Sequence, residues 1–305
     1  MITGLRPRLT GLCLTPDTYI SGFRERICSG PVIVSDGATG SELQRRGLPV
    51  GTAPEAWTFD RPEEVSRLVS RYVEAGAECV LTNTFGANRI RWAMVRRSET
   101  VAQVNRQAAE LARTAVGDRG YVVGAVGPTG EDLTVEKYRQ VYSEQVNALV
   151  EAGVDGICVE TACSSAEGFA AVAAVRSISD LPVILSFAVR PGNRLETLAG
   201  EPLRDVVVRV SASGADVVGV NCVGFDLVRE AADLIQEVTD LPIAVSPNAG
   251  KPHQATQGLL YPDSEDDLAS KMALLLSSGV RIVGGCCGTS PQYVKALRKA
   301  VREQV

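Results

Sequence analysis

The chain has 305 residues, of which 45% are hydrophobic and 22% charged, and its formal net charge is −5. This length allows one large barrel or two modest domains around a sizeable core. Lysine and arginine are scattered, and the densest cluster, Arg91, Arg96 and Arg97 on a predicted helix, is most simply a solvated face, so nucleic acid is not expected as a partner. The sequence shows neither an apolar run of the roughly 18 residues that span a membrane nor the apolar core of a signal peptide. We therefore expect a cytoplasmic protein with no membrane partner.

Eight short runs rich in β-branched residues alternate with longer stretches of helical period. This alternation predicts repeated βα units around a parallel sheet. The stretches between the runs, such as 62–75, 136–152 and 265–278, are long enough to cross back over a sheet. The eight predicted strands begin at Pro31, Glu78, Tyr121, Gly156, Pro182, Asp216, Pro242 and Arg281.

Every second predicted strand follows a small residue and a glycine, which gives the sequence a fourfold repeat. Such glycines are expected just after a helix, where positive φ is cheap only for glycine. They are Gly76, Gly153, Gly214 and Gly279. Polar or thiol residues stand seven and eight positions after each glycine, at the carboxyl ends of the strands: Asn83 and Thr84, Glu160 and Thr161, Asn221 and Cys222, and Cys286 and Cys287.

Eight βα units in about 275 residues predict a (β/α)8 TIM barrel, an α/β fold whose active site lies at the carboxyl ends of the strands. An open doubly wound sheet is the second choice, because no G-x-G-x-x-G motif follows the first strand. We predict a single barrel domain over residues 31–305 and an N-terminal extension over residues 1–30. Within the extension, residues 17–28 are predicted to form a short helix that closes the barrel bottom, after a disordered start.

Eight cysteines are present, and in a chain of this length they are expected to be thiols rather than disulfides. Cys222 ends the sixth predicted strand, and Cys286 and Cys287 end the eighth between flanking glycines, so the three can converge. Three thiolates suit zinc, and a fourth position left open is typical of catalytic zinc. The alternative is a tight Gly-Cys-Cys-Gly turn that packs small side chains, with Cys222 as one more buried thiol.

Three thiolates give a zinc site a net charge of about −1, which favours binding an electron-rich thiolate over generating hydroxide. A substrate thiol held there would be deprotonated and still nucleophilic, so we predict alkyl transfer to sulfur. The only histidine, His253, lies in a loop away from the strand ends and is expected to be solvated. A Schiff-base lyase using Lys251 is disfavoured, because this lysine lies several residues past its strand.

Seven motifs in chain order resemble the homocysteine S-methyltransferase family. That family includes betaine- and S-methylmethionine-dependent enzymes and the homocysteine-binding module of cobalamin-dependent methionine synthase. The motifs are DGATG at 36–40, LTNTFGA at 81–87, GPTG at 127–130, ET at 160–161, GVNC at 219–222, PNAG at 247–250 and GGCCG at 284–288.

The resemblance implies a TIM barrel that holds zinc on Cys222, Cys286 and Cys287, with the homocysteine sulfur as the fourth ligand and methionine as the product. It also implies that Asp36 and Glu160 hold the substrate amino group.

Backbone N–H groups after Asp36, at Gly37, and near Asn83 are suited to the substrate carboxylate. Asp36 has a second interpretation as a helix N-cap or turn residue. Asn83 and Asn221 either support the substrate site or tie adjacent loops together.

The methyl donor stays open. The motifs at 81–87 and 247–252 are most similar to the methionine synthase module, so a separate methyl-corrinoid protein is one candidate. Trp57 could hold a cationic donor, such as S-methylmethionine or S-adenosylmethionine, against its indole face, or it could simply pack its loop. Betaine is disfavoured, because Thr161 stands where betaine enzymes have tyrosine. Methyl transfer to another small thiol, or a non-catalytic zinc- or partner-binding subunit of a corrinoid system, is the alternative function.

Overall fold

The computed structural model describes residues 22–192, 194–255 and 258–304. Its central sheet has eight strands, and each coincides with one of the eight predicted runs. They are β1 (Ile33–Val34), β2 (Cys79–Leu81), β3 (Tyr121–Val126), β4 (Gly156–Ala162), β5 (Val183–Phe187), β6 (Val217–Asn221), β7 (Ile243–Ser246) and β8 (Val280–Val283).

All neighbouring strands in this sheet are parallel and follow one another in chain order, from β2 through β8 and on to β1. A parallel bridge between Ser35 and Cys79 joins the two ends, and the Glu78 N–H donates to the Val34 carbonyl at 2.7 Å. The sheet therefore closes on itself, and the predicted (β/α)8 TIM barrel is confirmed.

Helices surround the barrel and include the predicted crossings, with ends that agree within a few residues. The predicted helix at 62–75 has the same limits in the structure, and the one at 265–278 finishes as a 3₁₀ turn over Leu274–Ser277. The α-helices of the described residues are α1 (Phe23–Cys28), α2 (Gly40–Arg45), α3 (Trp57–Asp60), α4 (Pro62–Ala75), α5 (Arg89–Val95), α6 (Val101–Val116), α7 (Val135–Glu151), α8 (Ser165–Arg176), α9 (Leu203–Ser213), α10 (Phe225–Val238), α11 (Glu265–Ala273) and α12 (Pro291–Arg302).

The four repeat glycines all have positive φ, between 71° at Gly279 and 106° at Gly76. Gly76 is also tightly packed, because a Cβ there would lie 2.8 Å from Cγ of Arg298. A side chain at this position would therefore be unfavourable in both backbone conformation and space. The repeat identified in the sequence thus marks the places where a helix stops and the chain turns into the next strand.

Helix α1 packs against the amino-terminal ends of the barrel strands. Phe23 and Ile27 are buried in one apolar cluster with interior side chains such as Ile33, Tyr121 and Ile184. This helix falls within the stretch predicted at 17–28, while residues 1–21, including the predicted disordered start, lie outside the described residues. None of the helices described is both long and apolar enough to cross a membrane. The seven cysteines among the described residues are all free thiols.

Candidate active site at the barrel mouth

Cys222, Cys286 and Cys287 meet at the carboxyl ends of the strands. Their Sγ atoms all lie within 4.8 Å of one another, and each side chain is half-buried. Cys222 immediately follows β6 with φ of 61°, held there by its N–H, which donates to the Ser246 carbonyl at 3.1 Å. The Cys286 N–H donates to the Pro247 carbonyl at 2.8 Å. Backbone hydrogen bonds from two strand ends therefore fix three thiols around one point.

The three thiols cannot all ionise on their own. Hydrogen bonds from Cys222 and then Cys286 lower the pKa of Cys287 to about 3. The hydrogen bond from Cys286 lowers the pKa of Cys222. The hydrogen bond that Cys222 donates to Cys287 and the burial of the thiol outweigh this effect and raise the pKa of Cys222 to about 12. The pKa of Cys286 rises well above its ordinary value, because its thiol bonds to Cys222 and Cys287. One thiolate between two thiols is a donor set that a metal ion could complete by displacing the two remaining protons.

Tyr261 contacts the thiol cluster, and no sequence pattern predicted this. Its ring covers Gly288 so closely that a Cβ there would overlap the ring, and its hydroxyl hydrogen-bonds to Cys287. Burial, followed by the charge of Cys287, raises the pKa of Tyr261 and keeps the hydroxyl protonated as a donor. Tyr261 lies in an irregular loop, where hydrophobic period carries no information about side-chain direction.

Asp36 lies just past β1, buried among the strand ends. Its Oδ2 accepts the Leu81 N–H at 2.8 Å and its Oδ1 accepts the Ser35 hydroxyl at 3.1 Å. Burial outweighs these hydrogen bonds and raises the pKa of Asp36 to about 7. The carboxylate does not cap α2, whose N-cap is Thr39. Asp36 therefore joins the ends of β1 and β2 and does not act as the helix cap that the sequence also allowed.

Glu160, near the end of β4, is half-buried at the base of the mouth. Within the described part of the chain it has no hydrogen-bond or ion-pair partner. Burial raises its pKa to about 8, with further contributions from the negative charges of Asp36 and Cys287. An unpaired carboxylate in such surroundings is costly unless a cationic ligand group reaches it.

Asn221 and Asn83 use their amides on neighbouring protein groups. Asn221 accepts from the Thr161 N–H at 2.9 Å and donates to the Thr161 hydroxyl at 2.8 Å. Thr161 has φ of 60°, so this amide holds a strained strand end beside Glu160. The Asn83 amide donates to the Pro54 carbonyl at 2.8 Å and to the Thr58 hydroxyl at 3.2 Å. A direct substrate contact by either asparagine stays a prediction.

Two adjoining cavities connect these residues. The larger, of about 680 Å³, is lined by the three cysteines, Gly37, Asn83 and Glu160, and also by Glu55 and Arg91. The smaller, of about 40 Å³, lies against Asp36, Glu160, Asn221 and Cys286. Glu160 and Cys286 border both cavities, so the predicted metal and substrate residues line two neighbouring spaces at the barrel mouth.

Three residues considered in the sequence lie away from these spaces. Trp57 is packed in the apolar core, with the guanidinium of Arg61 5.8 Å from its ring centroid, and lines neither cavity. These surroundings favour the packing alternative, and a donor-binding role for Trp57 stays a prediction. Lys251 and His253 are exposed and also border neither cavity.

Glu55 is the second site residue that the sequence did not reveal. It is buried in a 3₁₀ turn between β1 and α3, and its carboxylate accepts the Gly86 N–H. Burial raises its pKa, although the Gly86 hydrogen bond and the charge of Arg91 act in the opposite direction. A single glutamate in a loop matches no periodic pattern, so only the folded chain shows that it borders the cavity.

Comparison with known proteins places the chain in a family. The profile of the homocysteine S-methyltransferase family matches residues 33–301. The methionine synthase of Mycobacterium tuberculosis is 29% identical over 299 residues, which are 90% of this chain and 25% of that protein. The homocysteine S-methyltransferase of Escherichia coli is 27% identical over 297 residues, covering 88% of this chain and 94% of that protein.

A solved structure agrees with the sequence matches. The metallated form of the E. coli homocysteine methyltransferase MmuM superposes with a TM-score of 0.79 at 25% identity, over 92% of this chain and 99% of that one. The chain spans about a quarter of the length of the mycobacterial methionine synthases and nearly the whole of the E. coli enzyme. On the family match and this shared fold, the chain belongs to the homocysteine S-methyltransferase family.

Proposed function

We propose that the chain transfers a methyl group to the thiol of homocysteine and forms methionine. The observation that carries this proposal is the convergence of three cysteine thiols on a cavity that is also lined by Glu160, a carboxylate without a partner in the described part of the chain. A thiol-bearing amino acid has the two groups that this arrangement suits, a sulfur nucleophile and an ammonium group. Family membership and the likeness to the E. coli enzyme support the same reaction.

We further propose zinc as the metal, held by Cys222, Cys286 and Cys287. Their sulfur atoms are already gathered within bonding reach of one ion, and a set of three soft thiolates favours zinc over harder cations. When bound, zinc keeps a substrate thiol deprotonated and nucleophilic at neutral pH. The E. coli relative has a metallated form, which supports the proposal that this chain also binds a metal.

The remaining site residues are proposed to hold the amino-acid part of homocysteine. The Glu160 carboxylate, which has no partner in the described residues, accepts hydrogen bonds from the ammonium group. Buried Asp36 contributes negative charge close to Glu160. The backbone around Gly37 borders the cavity and supplies N–H groups for the carboxylate. Asn221 acts at one remove by fixing the Thr161 backbone next to Glu160.

The reaction moves one methyl group and one proton. The substrate sulfur forms a bond to the methyl carbon as the bond between that carbon and the donor breaks, and the donor keeps the electron pair. The thiol proton leaves to solvent before the transfer. The protein positions the reactants, because a nucleophile held at the mouth meets a donor that enters the same cavity in a fixed direction.

We also propose that the protein works in the cytoplasm. Free cysteines suit a reducing compartment, which supports this proposal.

Incubation of the purified, zinc-loaded protein with homocysteine tests the proposal. S-methylmethionine, S-adenosylmethionine, betaine and a methylated corrinoid protein are offered in turn, and methionine is measured by mass spectrometry. We expect methionine with at least one donor and none after Cys286→Ser, which should also lose bound zinc. Cys28→Ser is the matched control, because Cys28 is an exposed thiol on α1 at the opposite end of the barrel. A zinc-loaded protein that forms no methionine with any donor would contradict the proposed function.

A further inference from the structure

The three arginines that form one cluster in the sequence have different surroundings in the structure. The Arg97 guanidinium forms ion pairs with Asp60 and Glu99 at 2.9 Å and 2.8 Å. Arg91, on the first turns of α5, instead borders the large cavity of the active site. Arg91 is exposed, as the prediction of a solvated face has it, and it also stands at the rim of this cavity.

The Arg91 side chain lies between two glycines and an aromatic ring. Its guanidinium carbon is 5.9 Å from the centroid of the Phe85 ring. A Cβ on Gly86 would lie 3.4 Å from its Nε, and a Cβ on Gly130 would lie 3.6 Å from its Nη1. The absence of side chains at these two positions thus leaves room for the guanidinium beside Phe85.

The Arg91 guanidinium is carried by an exposed side chain at the cavity rim. Among the described residues, no ion pair or hydrogen bond from it is found, although Glu55 is near enough for Arg91 to favour its charged form. Glu55 uses its carboxylate on the Gly86 N–H instead. Arginine presents a planar fork of donors that matches a carboxylate, so this guanidinium is available to a carboxylate of a ligand in the cavity.

The ionisable groups of the large cavity are spread around the barrel rim. Glu160 lies near the end of β4 and Cys222 follows β6, whereas Arg91 follows β2, on the opposite side of the barrel from β6. A ligand that spans this cavity and complements its charges has a cationic centre towards Glu160 and the thiols and a carboxylate towards Arg91.

We propose that Arg91 binds the carboxylate of a small zwitterionic methyl donor, with its methylated cationic centre directed along the cavity towards the thiols. This inference rests on the proposed function and assigns a binding residue to its donor, for which S-methylmethionine, a sulfonium amino acid, serves as the probe. The sulfonium loses its methyl group to the homocysteine sulfur, keeps the electron pair of the broken bond and leaves as a neutral thioether. Phe85 and Glu55 flank the route of the positive charge.

The test removes the carboxylate from the donor and the guanidinium from the protein in turn. The KM for S-methylmethionine and the KM for homocysteine are compared between wild type and Arg91→Met. Calorimetry then compares how the two proteins bind S-methylmethionine and trimethylsulfonium, which has no carboxylate. Loss of a charge-assisted hydrogen-bond pair is expected to weaken S-methylmethionine about 10- to 100-fold. Binding of trimethylsulfonium and the KM for homocysteine should stay nearly unchanged. Arg91→Lys, which keeps the charge and loses the fork, should fall between the two proteins.

Arg89→Met is the matched control. It removes the same charge from the same helix, but Arg89 faces Glu144 outside the active-site cavity, and its side chain is 64% exposed. It should leave every constant unchanged, as should the zinc content and circular dichroism of all variants. The inference would be overturned if Arg91→Met bound S-methylmethionine and trimethylsulfonium with equally reduced affinity. It would also be overturned if the variant raised the KM for homocysteine instead, or if wild type turned over only with the methylated corrinoid protein. Methionine formation by wild type decides the proposed function separately from any Arg91 effect.

Discussion

The two ends of the barrel differ in how their charged side chains are paired. At the amino-terminal end, carboxylates are paired: Asp216 accepts hydrogen bonds from Arg24 and Arg176, and Glu78 accepts from Arg26 and Arg298. At the carboxyl end, three thiols lie close together, and the side chains of Glu160 and Arg91 have no hydrogen-bond or ion-pair partner among the described residues.

Backbone strain is found at the carboxyl end as well. Of the three described residues other than glycine with positive φ, Thr161 and Cys222 lie at the mouth, and the third, Arg96, ends α5. One fold therefore satisfies its own groups at one end and keeps groups unsatisfied for ligands at the other.

The largest expected effect concerns pH and buried Asp36. Its pKa is about 7 in the folded chain against an ordinary value of 3.8, so the folded state holds a proton that the unfolded state has released. The free energy of unfolding of the metal-free protein should fall as pH rises from about 4 through 7, by up to roughly 4 kcal/mol from this group. Asp36→Asn should remove much of that slope, as measured by urea unfolding at several pH values. An unchanged slope in the variant would contradict the raised pKa.

Glu160→Gln should separate ligand binding from stability at the mouth. The variant keeps the shape of the side chain and removes the charge that the ammonium group of homocysteine would meet. We expect the KM for homocysteine to rise about 100-fold, because a buried charge-assisted contact is lost. Stability at pH 9 should not fall, since the removed charge has no protein partner in the described residues. Loss of both affinity and stability would show that Glu160 is a structural residue.

Asp216→Asn is the corresponding change at the opposite end. Asp216 accepts from two arginines and from the Val183 N–H at 2.7 Å, so it joins helices to the starts of β5 and β6. The side chain is 20% exposed, and the free energy of unfolding should fall by about 2 kcal/mol while the KM for homocysteine stays unchanged. Urea unfolding and steady-state kinetics on the same preparation check both halves. A shifted KM would mean that the two ends are coupled.

The fold was predictable because its information is local and repeated. Each strand is a short β-branched run, and each repeat glycine marks a helix end that requires positive φ. The convergence of Cys222 with Cys286 and Cys287 followed from one rule, that parallel strands end on the same side of a barrel.

The sequence did not predict where single side chains point when they lie in loops or in the first turn of a helix. Arg91 belonged to a basic cluster, and only the folded chain shows that it borders the cavity while Arg97 pairs with Asp60. Trp57 offered an indole that the structure buries in the core. Glu55 and Tyr261 lie in irregular segments where no period applies. These directions depend on contacts between residues far apart in the chain, which spacing along the sequence does not encode.

The smallest expected effect concerns Tyr261, whose hydroxyl is the only part removed by Tyr261→Phe. The ring still covers Gly288, so the loop keeps its packing, but Cys287 loses a hydrogen-bond donor. Donors of this kind orient a metal-binding thiolate, and their loss typically weakens metal affinity by about 10-fold or more. Zinc release to a chromogenic chelator should therefore be faster, with unchanged circular dichroism. Tyr293→Phe is a suitable control, because the Tyr293 hydroxyl donates to the Gly284 carbonyl at 2.9 Å and does not reach the thiols. If both variants lose zinc equally fast, the effect comes from the β8 loop as a whole and not from the contact with Cys287.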